Sequence, residues 1–354
     1  MVPASAMYLA PLLVAILLSA GPALTDEPCA PVKPCEIPDA GPSGEQEAPA
    51  DFATEARALF DLLSCQGKVP QGLAPEPVKV YCARQARLAV KQGEARRALE
   101  ALLRPLRPVR LPSAVVYPLS GSDLASALAA YPDARNVTLT SRRPAGDPRL
   151  LARLHDRAAL AAFLDEVAKE GERLAGGLGG EEGPLNRPAL PVLLLALAVE
   201  GCEPVGLRYL SVESTGTLRY LGASEIASRE RDGKGQDPFA SCELSFVRQG
   251  EPPGTLPRFV RSLRVDLSDA GIAADPGPLA HLAAKGGFAA LLAAATMLSG
   301  DGYTRFRELF LRRAVFLVSD GTGPTADQLK QAGFEEESHP RPGGPGKVVV
   351  IRRP

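Results

Sequence analysis

The chain has 354 residues and 45% apolar content, enough for one large domain or two ordinary ones with a substantial core. Its 40 Lys and Arg nearly balance its 41 Asp and Glu, for a net charge of -1, so no overall field draws it to nucleic acid or to an anionic membrane. It has no Trp and only 5% aromatic residues, so the usual stacking platforms for bases and sugars are scarce.

The apolar run from Tyr8 to Ala20 is shorter than the roughly 20 residues needed to span a bilayer and matches a signal-peptide core. Small residues at Ala20, Gly21, Ala23 and Thr25 offer a cleavage site, so residues 1–25 read as a signal peptide and the destination as periplasmic or secreted, with no transmembrane segment after cleavage. Residues 26–50 are rich in Pro, Gly, Glu and Ala, cannot repay the entropy of ordering, and read as a disordered linker.

Six cysteines agree with an oxidising compartment. Proximity along the chain suggests Cys29 with Cys35, Cys65 with Cys82, and Cys202 with Cys242. No two of them have zinc-knuckle spacing, and the histidines (His155, His281, His339) are scattered, so no metal site is expected and the cofactor stays unknown.

Residues 51–107 read as a small helical domain. Asp51 is an N-cap for a helix carrying Phe52, Leu59, Phe60, Leu62 and Leu63, and Pro77 opens a second with Val80, Tyr81 and Leu88. A third follows Gly93 and runs to Pro105. Cys65 and Cys82 would staple the first helix to the second.

Residues 108–354 read as an α/β domain, a mixed sheet with helices on both faces. Ala114 to Pro118 is a buried strand, Ser120 to Asp123 a turn and helix cap, Leu124 to Ala130 a helix, and Asn136 to Thr140 a second strand, parallel to the first. A helix capped by Asp147 runs to about Leu174, the glycines at 176–180 form a connector, and Pro191 to Ala198 is an all-apolar buried helix. Strands are expected at Leu207 to Glu213, Leu218 to Leu221, Ser241 to Arg248 and Phe259 to Leu267, the last two alternating as antiparallel strands do. Phe288 to Leu298 reads as an Ala-rich buried helix. A helix around Tyr303 to Leu311, a strand Ala314 to Val318, a turn Ser319 to Gly323, a helix Thr325 to Ala332 and a strand Lys347 to Ile351 complete the pattern.

Open α/β sheets bind ligands at the carboxyl ends of their strands. Two turns qualify: Ser120-Gly121-Ser122-Asp123 and Ser319-Asp320-Gly321-Thr322-Gly323. The ligand-binding candidates are therefore Ser120, Gly121, Asp123, Asp320 and Thr322, which combine carboxylates, hydroxyls and close backbone approach; the same residues also suit a plain helix cap or tight turn. The first turn lacks Gly-x-Gly-x-x-Gly, and the second strand ends in Ser141-Arg142-Arg143 where a dinucleotide fold needs an acidic residue. Gly121-Ser122 is not a nucleophile elbow, and no histidine has a supporting motif, so no catalytic residue is assigned. Asn136-Val137-Thr138 is a glycosylation sequon in a predicted strand.

Ala114 to Gly146 resembles the signature of an uncharacterised family of secreted or lipid-anchored bacterial proteins: an apolar strand, Ser-Gly-Pro-Asp, a short helix, Phe-Pro-Asn-Ala, a strand, and Gly-Leu-Glu-Pro-x-Gly. Ser120, Gly121, Asp123, Pro132, Ala134, Pro144 and Gly146 match. The helix from Pro191, the Val265-Asp-Leu-Ser268 strand end and the Asp320 turn are similar to later parts of the pattern. The chain departs at Ser122 (proline in the family), Asp133 (asparagine), Arg143 (glutamate), Gly321 (aspartate) and Gly300 (histidine). The resemblance implies an envelope location and this fold more than an activity. Two functions are expected to compete: noncatalytic binding of an unknown small molecule or envelope partner, and an enzyme of methyltransferase-like or hydrolase-like fold with a site around Ser120, Asp123 and Asp320.

Overall fold

The computed structural model describes residues 47–67, 69–174, 178, 187–232, 237–342 and 345–353. The segment expected to be a signal peptide, Cys29, Cys35 and most of the 176–180 connector lie outside these residues.

The expected mixed α/β architecture is present. The strands are β1 (Ala114–Tyr117), β2 (Asn136–Ser141), β3 (Cys202–Val212), β4 (Leu218–Tyr220), β5 (Ser241–Arg248), β6 (Arg258–Arg264), β7 (Phe288–Leu292), β8 (Ala314–Ser319), β9 (Glu335–Pro340) and β10 (Lys347–Arg352). They form one sheet in the order β4-β3-β5-β6-β2-β1-β7-β8-β10-β9. The five central strands from β6 to β8 are parallel, and the flanking β5 and β10 are antiparallel to them. The central strands β1 and β7 are buried on both faces and read as continuous apolar runs, Val-Val-Tyr in β1 and Ala-Ala-Leu-Leu in β7.

One face carries α1 (Ala53–Ser64), α2 (Pro75–Leu103), α3 (Leu124–Ala130), α4 (Arg157–Leu174) and α5 (Leu190–Val199); the other carries α7 (Asp269–Ala274), α8 (Gly277–Ala284), α9 (Thr304–Arg313) and α10 (Ala326–Gln331), while α6 (Ala223–Asp232) follows β4. Alternation divides each strand between the two cores: Val115 and Tyr117 join Leu59, Leu193 and Phe246 on the first face, whereas Val116 joins Leu263, Leu282 and Phe310 on the second. Helix α5 has buried residues all round, as its sequence requires, because α1, α3, α4 and β3 surround it.

Several expectations change. The helical segment 51–107 shares its core with the sheet, since Leu59, Phe60, Leu63 and Leu103 belong to the cluster that holds Leu207 and Phe246. Its second and third helices are one, because α2 runs unbroken through Gly93; a mid-helix glycine costs about 1 kcal/mol, which burial of Leu88 and Leu99 on either side repays. Of the linker, residues 47–50 are held in place: Pro49 bridges Gly222, and the Glu47 carboxylate accepts the Ser224 amide at 3.1 Å. The helix expected from Asp147 is broken. That residue caps a 3-10 turn, Pro148–Arg153, and α4 starts afresh at Arg157. Phe288 to Leu298 is the strand β7 followed by a turn, because a short all-apolar run carries no period to separate a central strand from a buried helix. The last strand expected from Phe259 ends at Arg264, three residues early, where Val265 leaves the ladder for the strand-end turn.

Cys65 and Cys82 form the expected disulfide, which clips the end of α1 to α2. Cys202 and Cys242 do not pair. On the adjacent strands β3 and β5, Cys202 stands opposite Arg248 and Cys242 opposite Tyr209, so the register holds the two thiols apart.

Candidate functional site

Strand order reverses between β1 and β7, the switch point at which an open α/β sheet forms its crevice. Both turns singled out from the sequence sit there, and their polar groups are largely spent on the fold.

Asp123 is 1% exposed. Its Oδ1 accepts the Ser126 amide at 3.2 Å, capping α3, and its Oδ2 accepts the Tyr117 hydroxyl at 2.9 Å. Burial pushes this carboxyl above its ordinary range, while hydrogen bonds from Ser126 and Tyr117 and the charge of Arg173 pull it back. The Tyr117 hydroxyl is in turn pushed well up, by its own burial first and by the Asp123 carboxylate second. Ser120 donates its amide to the Thr140 carbonyl at 3.1 Å, while its buried Oγ has no hydrogen-bond partner among the described residues. Gly121, at φ 60°, makes the left-handed step of the turn, and Leu119, at φ 58°, takes the same conformation without glycine's freedom.

Asp320 and Thr322 clamp the neighbouring turn. The Asp320 Oδ2 accepts the Ala294 amide at 3.0 Å, its Oδ1 accepts the Thr322 amide at 2.9 Å, and the Thr322 hydroxyl accepts the Ala295 amide at 2.8 Å. This ties the end of β8 to the end of β7 and holds Ala294 at φ 51°. A helix from Phe288 to Leu298, as the sequence suggests, would not present the Ala294 and Ala295 amides to this clamp, because a helix bonds its own amides.

Arg143 closes the crevice from the β2 side. It is 1% exposed and donates to the Glu170 carboxylate at 2.6 Å, to the Ser122 hydroxyl at 3.4 Å and to the Arg187 carbonyl at 3.0 Å. Burial would raise the Glu170 carboxyl, but hydrogen bonds from Arg173 and Arg143 hold it below its usual range. Arg143 is therefore committed to a carboxylate from α4.

The histidines are not brought together. His281 is buried on α8 with its Nδ1 3.1 Å from the Gly216 carbonyl, and burial pushes it down to about 4. His339 lies on the edge strand β9 beside Glu337, and His155 follows the Pro148–Arg153 turn. Among the described residues no group of His, Cys, Asp and Glu could hold a metal ion. The sequon residue Asn136 lies in β2 with its Oδ1 accepting from Arg261 at 3.1 Å.

Another opening lies along the same edge of the sheet, displaced from the switch point towards β6 and β3. It is a cleft of about 480 Å³ at the ends of β2, β6 and β3, beside the start of β5. Leu210, Val265 and Ser241 line it, and Arg142, Arg264, Asp237, Asp266 and Asp275 bring charge to it. None of the five ligand-binding candidates lines it. Two hints were present in the sequence, Arg142 at the end of the second strand and Asp266 in the Val265 to Ser268 segment, but Arg264 reads as the wet side of an alternating strand. No protein-family model, curated protein or solved structure matches this chain.

Proposed function

We propose that this protein is a noncatalytic binding protein of the cell envelope, exported by the signal segment at residues 1–25. One observation carries the noncatalytic reading: at the switch point the polar groups of Asp123, Asp320, Thr322 and Arg143 are bound to the protein's own backbone and side chains. A catalytic group has to keep a lone pair or proton for substrate. The resemblance of Ala114 to Gly146 to secreted and lipid-anchored proteins, the Cys65–Cys82 disulfide and the lack, among the described residues, of a helix long and apolar enough to cross a membrane support the envelope assignment.

The enzyme reading has support of its own. With β10 antiparallel between β8 and β9, the order β6-β2-β1-β7-β8-β10-β9 is similar to that of methyltransferase-like sheets. Two non-glycine residues, Leu119 and Ala294, hold left-handed conformations at adjacent strand ends, and such strain gathers at active sites. The residues do not fit the nucleotide-type cofactor of that fold, however. The first turn is buried from Pro118 to Asp123, and β2 ends without the carboxylate that would take ribose hydroxyls.

Native and denaturing mass spectra of protein recovered from a bacterial periplasm test the proposal, alongside an Asp320→Asn variant. The expected result is a mature chain shorter by about 20 to 25 residues that retains a small molecule equally in both proteins. An uncleaved chain overturns export, and a ligand lost from Asp320→Asn moves the site back to the switch point and favours the enzyme.

A further inference from the structure

The cleft at the ends of β2, β6 and β3 holds charges of both signs that the fold leaves unanswered. Arg264 donates its Nε to the Arg142 carbonyl at 3.3 Å and pairs with no carboxylate among the described residues. Asp237 and Asp275 each spend one oxygen on a nearby amide, that of Phe239 at 2.9 Å and that of Gly277 at 3.2 Å, and neither has a cationic partner among the described residues. Arg229 differs, since Glu225 answers it at 2.6 Å. The apolar part of the lining comes from Leu210, Val212, Val265 and Pro278, beside Ser211, Ser241 and the charged residues.

A simple anion would satisfy Arg264 and be repelled by the aspartates; a simple cation would do the reverse. A guanidinium fork suits a carboxylate, and a carboxylate suits an ammonium. The volume of about 480 Å³ falls within the range of small-ligand sites and exceeds what one small ion needs. We infer that the cleft binds a dipeptide-sized zwitterion, its carboxylate on Arg264, its ammonium on Asp237 and Asp275, and its apolar body on Leu210 and Val265. This rests on the binding reading above and names its site and ligand class. The location also fits the rule that open sheets bind at their carboxyl edge.

Calorimetric titration of the full chain with L-leucyl-L-leucine, N-acetyl-leucyl-leucine and leucyl-leucine amide tests it, on the parent protein and on Arg264→Gln and Asp275→Asn variants whose fold is checked by circular dichroism. The dipeptide is expected to bind, and each blocked analogue to bind at least about tenfold more weakly, the loss of one charge-assisted pair. Arg264→Gln should weaken the dipeptide by a similar factor and leave the amide unchanged, with Asp275→Asn doing the same for the N-acetyl compound. No binding, or equal binding to folded Arg264→Gln, overturns the inference. Mass spectra of the recovered probes separate the two levels. A cleaved or modified dipeptide overturns the noncatalytic reading itself, whereas an intact, unbound dipeptide beside a periplasmic protein that retains another molecule overturns only the zwitterion.

Discussion

Arg143 and Glu170 form an ion pair of 2.6 Å in which the two side chains are 1% and 5% exposed. Arg173 donates to the same carboxylate at 2.8 Å, so one buried glutamate holds two guanidinium groups. Removing one partner of a buried pair leaves an uncompensated charge, at a cost of about 3 to 5 kcal/mol. Glu170→Gln should therefore lower the unfolding free energy read from urea melts by an amount in that range, whereas the double change Arg143→Met with Glu170→Leu should recover most of it. Equal losses in the single and double variants would show that the pair is not the source.

The same glutamate gives acid sensitivity of defined sign. Its folded-state pKa lies below the unfolded value of about 4.3, so the stability it contributes is present above that value and is lost as the pH falls through the folded value. Denaturation followed from pH 6 down to pH 3 should be steeper for the parent than for Glu170→Gln.

His281 acts at higher pH. Burial first, then the nearby charge of Lys285, push it down to about 4, so it is neutral when folded and has an ordinary pKa when unfolded. The unfolded chain binds the extra proton between about pH 6.5 and 4, and stability falls as the pH drops through that window. The parent should lose on the order of 2 kcal/mol between pH 7 and pH 5, and His281→Gln should lose measurably less. An identical pH slope in the two proteins would contradict the assignment.

The cysteines separate by chemistry. Burial pushes the Cys242 thiol up to about 12 and the Cys202 thiol up to about 11, so both should resist iodoacetamide until the chain unfolds. Peptide mapping should then find Cys65 and Cys82 labelled only after reduction. Opening the disulfide, which closes a loop of 17 residues, should cost about 3 kcal/mol. A Cys202–Cys242 crosslink in the map would contradict the strand register.

Two substitutions probe left-handed backbone in opposite directions. Gly216 has φ 88°, and a Cβ there would lie 2.5 Å from the His281 amide nitrogen, so Gly216→Ala should cost more than about 2 kcal/mol and loosen the hairpin from α8. Ala294 has φ 51° and is only partly buried, so Ala294→Gly should raise stability by about 0.5 to 1 kcal/mol, against the usual sense of that change. Thermal melts of the two variants read both signs.

Local physics made much of this protein legible from its sequence. The alternation of β5 and β6, the β1–α3–β2 unit with its Asp123 cap, the all-apolar α5 and the Cys65–Cys82 staple follow from periodicity, capping chemistry and spacing, which act within a few residues. Whatever depends on partners distant in the chain was decided by the tertiary structure. Phe288 to Leu292 became a central strand because β1 and β8 were there to pair with it. Gly93 stayed helical because its neighbours in α2 found a core, and Cys202 missed Cys242 because register, not proximity, sets which residues of two strands meet. Whether Asp123 and Asp320 are free for a ligand depends on Tyr117, Ser126 and the β7 turn, and the pairing of Arg143 with Glu170 and the isolation of Arg264 depend on which charges the fold brings within hydrogen-bonding reach.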